Sequence, residues 1–172
     1  LRPTPGDRER YENTASPVLT FGGEAEVRRE WRQGWMLSAA YAYQRSSYLE
    51  RGTGPTALRE VPNAPEHLFS ARAAAPLVPN LLTAMTRVTV EGPRWDRYDR
   101  ASDPAQQRTD PAFVWDVVLS GYAERFGLRY NAGVYNLFDW RYAVPVSAEF
   151  DTRMRSIVQN GRTFLLSLSI TR

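Results

Sequence analysis

One histidine and no cysteine among 172 residues leave little with which to do chemistry at a reacting atom. His67 beside Glu66 has no second His and no thiolate to complete a zinc site, which needs three or four such ligands. It reads as a polar cap at a strand start. A Ser-His-Asp triad would have to use His67, and no G-x-S-x-G stretch accompanies it. The chain also lacks a G-x-x-x-x-G-K-[ST] phosphate loop. No catalytic residue, metal site or cofactor is expected, and the chain reads as a non-enzyme.

The densest group of binding-competent side chains is GPRWDRYDRASDPAQQRTDP, residues 92–111. Arg94, Arg97, Arg100 and Arg108 are interleaved with Asp96, Asp99, Asp103 and Asp110. One reading is a solvated mixed-charge loop, since the signs cancel and no calcium-loop spacing is present. The other is a ligand-binding loop in which Arg94, Trp95, Asp96, Arg97 and Tyr98 present charge beside exposed aromatic faces. The 22 basic and 19 acidic groups are mixed along the whole chain, for a net +3, so no basic patch points to nucleic acid.

The elements that would position this loop alternate with period two, which is strand period. At the C-terminus Phe164, Leu166, Leu168 and Ile170 fall on one side. Thr163, Ser167, Ser169 and Thr171 fall on the other, with Leu165 the single exception. The same alternation predicts strands over 18–30, 35–45, 65–75, 82–91, 113–120, 128–137 and 161–172. One face is apolar; the other holds Glu24, Glu26, Arg28, Arg72, Arg87, Glu91, Asp116 and Arg129. Short turns near 32–34, 77–80 and 124–127 alternate with long connections near 48–64, 93–111 and 138–160.

Two architectures fit this pattern. A closed soluble barrel of lipocalin type would pack the apolar face inside and turn the charges to water. An outer-membrane barrel would turn the apolar face to lipid and line a wet lumen with the charges. Strands of about 10 residues suit a tilted membrane strand, whereas soluble strands average about five or six. Short and long connections in alternation match periplasmic turns and extracellular loops. The 12% aromatic content, with Trp35, Tyr43, Trp115 and Tyr130 near strand ends, suits the two interfaces. No apolar run approaches the roughly 18 residues of a spanning helix, which does not bear on a barrel.

Particular residues then carry a resemblance. Asn136, Leu137, Phe138, Asp139 and Tyr142 (NLFDWRY), followed by Gly161, Arg162 and Phe164 (GRTFLLSLS), resemble the C-terminal end of TonB-dependent outer-membrane receptors. VPNAPEH at 61–67 is similar to that family's strand-opening Asn-x-Pro-x-His stretch. In the family the first box closes the penultimate strand and the second opens the last, so these eight residues are expected to be structural, with Asn136 and Asp139 bonding neighbouring backbone. Receptors of this kind have 22 strands behind an N-terminal plug and usually end on an aromatic residue; here Ile170, Thr171 and Arg172 stand last.

The resemblance implies an all-β antiparallel up-and-down meander of about seven or eight long strands, part of a transmembrane β-barrel in the bacterial outer membrane. Residues 1–172 would be its C-terminal portion, without the plug and upstream strands. The N-terminal LRPTPGDRER has neither initiator Met nor apolar leader, which suits a fragment or a processed chain. The implied function is uptake of a scarce ligand of siderophore, cobalamin or glycan type. The implied partners are outer-membrane lipid, the plug and upstream strands of the same receptor, and a TonB-type energy transducer acting through the plug. The competing functions are a small outer-membrane porin or adhesin barrel and a soluble lipocalin-like binding module. Seven strands should leave 18–30 and 162–170 as open edges; closure between them would instead favour an autonomous barrel, with 1–13 as a candidate eighth strand.

Overall fold

The computed structural model describes residues 17–49, 60–96, 107–146 and 154–170. Seven strands form one antiparallel sheet: β1 (Val18–Glu30), β2 (Met36–Tyr48), β3 (His67–Val78), β4 (Leu82–Glu91), β5 (Ala112–Ala123), β6 (Leu128–Tyr135) and β9 (Thr163–Ile170). Each pairs with the next in the order β1-β2-β3-β4-β5-β6-β9. Because neighbours run antiparallel, connections fall at opposite ends in turn. Residues 31–35, 79–81 and 124–127 therefore lie at one end, and the three long connections lie at the other.

Register settles which residues share a face, since directly opposed partners point the same way. Leu37 faces Ala73, Ala71 faces Val88, Thr86 faces Val117, Val117 faces Val134, and Val134 faces Phe164. By the same register Leu19, Phe21, Leu37, Val88, Val117, Val134, Leu166 and Leu168 occupy one side. All eight charged residues named from the pattern, from Glu24 to Arg129, occupy the other. On β2 the apolar-side Leu37, Ala39 and Tyr41 are exposed, while Met36, Ser38, Ala40 and Ala42 between them are half-buried. A hollow lined by Glu24, Glu26, Ala40, Ala42, Ser70 and Thr89 lies on the charged side. The charged face is thus the concave one and the apolar face is convex. Among the described residues only Ala112 and Val146 are buried hydrophobics, so there is no enclosed apolar interior of lipocalin kind.

Aromatic rings bracket the convex face. At the long-connection end Phe113, Trp115, Phe138 and Trp140 contact one another with ring centroids 5.5–6.2 Å apart. At the short-turn end stand Trp31, Trp35 and Phe126, all exposed. Strands of 8–13 residues, at ~3.3 Å per residue and tilted ~40°, rise about 20–33 Å, which brackets the ~25 Å apolar band of an outer-membrane barrel. Among the described residues no helix is long and apolar enough to cross a membrane, which says nothing of strands.

The structure corrects several boundaries. β3 continues through Pro76 to Val78, although Pro76 suggested a turn. The register shifts between Pro76 and Val78, and such a bulge accommodates a residue with no N–H to donate. Trp35 precedes β2, which starts at Met36 and runs to Tyr48 rather than stopping at 45. β6 stops at Tyr135, two residues early, because Asn136 turns to φ 52°. The connection at 138–160 is not all loop: β7 (Ala143–Pro145) pairs with β8 (Ser156–Val158). Residues 1–13, the tip at 50–59 and the terminal 171–172 lie outside the described residues.

Gly121 shows how tightly the convex face is built at the short-turn end. Tyr130 stands directly opposite, and its hydroxyl donates to the Leu81 carbonyl at 2.7 Å across the position a side chain would fill. A methyl at Gly121 would collide with that phenol and with the Leu81 backbone oxygen. Gly121→Ala should cost about 1–3 kcal/mol, the usual range for overpacking. The urea midpoint of the refolded protein, read by heat-modifiable gel migration, should fall; Tyr130→Phe should lose only about 1 kcal/mol, one hydrogen bond.

Candidate functional site

Two sites emerge at the long-connection end. The first is a junction built on Asn136. Its φ of 52° is a left-handed conformation that Asn tolerates better than most residues. Its backbone N–H donates to Asp116 Oδ1 at 2.9 Å. Its side-chain Nδ2 donates to the carbonyls of Trp140 (3.0 Å) and Asn160 (3.3 Å), while Oδ1 accepts from the Trp140 N–H at 2.8 Å. One side chain therefore ties the end of β6 to both arms of the following connection.

Asp116 is 4% exposed on the charged face and is met by three donors: Asn136 N–H, Arg87 Nε at 3.0 Å and Arg87 Nη2 at 2.6 Å. The ion pair gives the buried carboxylate the charge-assisted bonds that burial demands. Leu137 continues the junction, its N–H donating to the Trp115 carbonyl at 2.7 Å. Asp139, also left-handed at φ 54°, accepts from the Arg162 N–H at 2.8 Å and so anchors the start of β9. At Gly161 a Cβ would press on Asp139 Oδ1, so a side chain there would have to displace the carboxylate that accepts the Arg162 N–H. Phe138 is exposed on the convex side and packs on Trp115 and Phe113. Phe164 faces Val134 on the same side. The structure thus brings Asn136, Leu137, Asp139, Gly161 and Arg162 into one hydrogen-bonded turn, with Phe138 and Phe164 outside it facing outward.

The second site is the charged mouth. The long connection at 92–111 is not simply solvated. The Asp96 N–H donates to the Gln107 carbonyl at 2.8 Å, the Gln107 N–H donates to Asp96 Oδ1 at 2.7 Å, and the Thr109 N–H donates to the Arg94 carbonyl at 2.9 Å. These bonds make a narrow stem. Asp96 is 3% exposed and reaches Arg155 of the next connection at 3.4 Å. Trp95, expected to be exposed, is half-buried with the Arg108 guanidinium 4.4 Å from its ring centre. Arg94 pairs with Glu91 at 2.5 Å and donates to Asn63 Oδ1 at 2.9 Å. Glu66 joins Arg108 at 3.6 Å and Arg45 at 4.0 Å. Burial holds the Tyr142 hydroxyl above its ordinary range, reinforced by Glu91 and Asp116 and partly offset by Arg94. Arg97 and Tyr98 lie outside the described residues. The three long connections are therefore fastened to one another at their bases, a feature with no periodic signature in sequence.

His67 opens β3 on the convex side, its Nδ1 2.8 Å from the Tyr41 hydroxyl and its ring 5.1 Å from that of Tyr43. Among the described residues no three His, Asp or Glu side chains converge as a metal site.

The family model described as "TonB dependent receptor-like, beta-barrel" matches residues 2–137. No curated protein matches the chain. Among solved structures, the ferric-catecholate import receptor Fiu from E. coli is similar at 22% identity and TM-score 0.72, over 88% of this chain and 20% of that one. FpvA of P. aeruginosa, solved with a heterologous pyoverdine and iron, is similar at 17% identity and TM-score 0.66, over 88% and 19%. The chain thus spans about a fifth of the length of the receptors it matches.

Proposed function

The chain belongs to the TonB-dependent receptor family, as part of its outer-membrane β-barrel, and on that premise we propose that it is the C-terminal portion of a receptor that imports an iron–siderophore complex. The family is one of receptors rather than enzymes, and its barrels reside in the bacterial outer membrane. The observation that carries the reading is the two-faced sheet: apolar convex side, charged concave side, and all long connections at one end. That arrangement suits a lipid-facing wall around a wet passage with its ligand loops outside.

The ligand class is supported by the two solved relatives, which are named for ferric-catecholate import and pyoverdine–iron binding. Cobalamin and glycans are the other cargo classes. The mouth around Arg94 and Trp95, together with Arg97 and Tyr98 that follow in the sequence, would contact cargo, while buried Asp96 would hold the stem. The plug and upstream strands of the same receptor would complete the barrel, pairing with the free edges of β1 and β9. A TonB-type transducer would act through the plug.

The test is uptake by cells carrying the full receptor reading frame. Under iron limitation, receptor-dependent accumulation of radiolabelled iron with catecholate or pyoverdine-type siderophores is expected. Accumulation of labelled cobalamin or oligosaccharide instead, with no iron uptake, would reassign the cargo.

A further inference from the structure

The convex face carries one charge that the sheet does not neutralise. Arg29 lies opposite Leu37, whose row continues through Ala73 and Thr86, so it points to the apolar side near the short-turn end. The strand carboxylates Glu24, Glu26, Glu30, Glu91 and Asp116 all occupy the concave side. Glu30, next in sequence, is taken there by Arg28. The other convex-side cation, Arg45, stands at the mouth and is met by Glu60 and Glu66. Arg29 is exposed and has neither an ion pair nor a hydrogen bond from its side chain among the described residues. A bare cation on a lipid-facing wall is costly at the bilayer middle and tolerated only near an interface.

A second observation gives the direction of the side chain. The Arg29 guanidinium carbon is 5.1 Å from the centre of the Trp31 ring, the next convex-side residue toward the turn. The Trp31 N–H donates to the Trp35 carbonyl at 3.0 Å, which carries the register of β1 and β2 one step beyond the strands and sets both indoles on the convex side. Both rings are exposed. The guanidinium is thus drawn rimward, away from Val27, which stands deeper on the same strand. Its stem covers apolar surface while its head reaches the level of the indoles. A guanidinium held over an indole keeps its N–H fork for a partner beside it, and that fork matches two oxygens of a phosphate.

We propose that Arg29, with Trp31 and Trp35, seats the phosphodiester of one glycerophospholipid in the leaflet at the short-turn end. The inference rests on the barrel reading above. Free phosphate offers the same oxygens, but it has no acyl chains to lie along Val27 and Leu37, which are exposed on the same face directly inward of the seat. The lipid supplies the anion that the sheet lacks and fixes the height of the β1–β2 hairpin against the headgroups.

The experiment is native mass spectrometry of the full-length receptor, stripped of lipid in a mild detergent. It is titrated with phosphatidylglycerol, or with a monogalactosyldiacylglycerol of the same acyl chains and no phosphate. The wild type should bind its first phosphatidylglycerol about five-fold more tightly than its first glycolipid, the usual worth of one basic residue at an anionic surface. That comparison does not depend on any variant folding. Arg29→Gln should remove most of the preference, and Arg29→Lys should keep part of it. Arg129→Gln deletes a concave-side cation at the same end and should leave the preference intact. Millimolar inorganic phosphate should not displace the lipid; displacement would overturn the lipid as occupant. A wild type without preference, or an Arg29→Gln variant that retains it in full, overturns the seat while the barrel reading stands. A preference lost in Arg129→Gln and kept in Arg29→Gln would put lipid on the concave face and sink the barrel reading itself.

Discussion

Asn136→Ala should unfasten the end of the barrel wall and lower receptor stability by roughly 3–5 kcal/mol. Three side-chain hydrogen bonds disappear, to the Trp140 N–H, the Trp140 carbonyl and the Asn160 carbonyl. Asn136 itself is buried. Each lost bond is worth about 1 kcal/mol, and each backbone group left unpaired away from water costs about 1–3 kcal/mol. Alanine must also adopt the left-handed conformation that Asn holds at φ 52°, at about 1 kcal/mol more. The damage should spread in two directions. Asp116 Oδ1 receives the Asn136 backbone N–H, so a shifted turn leaves that buried carboxylate with Arg87 alone. On the other side Asp139 loses the geometry that caps Arg162 and starts β9. The measurement is the folded fraction of the full receptor in outer-membrane preparations, read by heat-modifiable migration and protease resistance. Asn136→Asp keeps the acceptor for Trp140 N–H and the turn conformation, but it aims a buried carboxylate oxygen at the Trp140 and Asn160 carbonyls beside Asp116, so it should be no more stable than alanine. An alanine variant as stable as wild type would show that the junction is ornamental.

How much of this junction could be read beforehand follows from where its partners lie. Alternation along each strand is local, so period two exposed both faces, the seven strands and the order of short and long connections before any coordinates. The charged residues from Glu24 to Arg129 were placed on one side by the same parity, and the register agrees. The role of Asn136 and Asp139 as backbone-bonding turn residues was also legible, from side-chain chemistry and from the receptor resemblance. The identity of their partners was not. Asp116 sits mid-strand on β5 and looks like any lumen charge until pairing brings the end of β6 beside it. Asp96 looked like one carboxylate in a neutral loop; its burial depends on Gln107 across the stem and Arg155 in another connection. The β7–β8 ribbon is three residues a side, too short to register a period. Leu165 was visible as an exception to the alternation, but its cross-strand partner, Gly133 of β6, was not. Local chemistry is written in sequence order; these features depend on contacts between residues far apart in the chain.

Val134→Arg should weaken insertion, whereas Asn131→Arg should be nearly silent. The two positions lie three residues apart on β6, within the same sheet and with the same neighbouring strands. Val134 points to the convex side between Val117 and Phe164. Asn131 points to the concave side between Ser120 and Ser167. Both lie between the aromatic rings of the two ends, and Val134 is the seventh of the eight residues of β6, so a convex-side arginine there would meet hydrocarbon nearer the long-connection end than the middle. The cost of such an arginine is about 2–4 kcal/mol at the midplane of an outer-membrane barrel and falls toward about 0–1 kcal/mol at an interface, while a lumen-facing change meets water and hydroxyls. Backbone propensity cannot account for a difference, because the substituted residue is the same in both variants and β6 is an interior strand with both edges paired. The reading is the folding free energy of the full receptor into lipid vesicles from a urea series, with cell-surface accumulation as the companion measurement in vivo. Val134→Arg should lose about 1–3 kcal/mol, between the midplane and interface values, and accumulate poorly. Asn131→Arg should stay within about 1 kcal/mol of wild type, since its long side chain can extend into the aqueous passage. Equal losses at both positions would mean that the concave face is as dry as the convex one. The reverse order would put the lipid on the charged side, and with it would go the assignment of the long connections to the cell exterior.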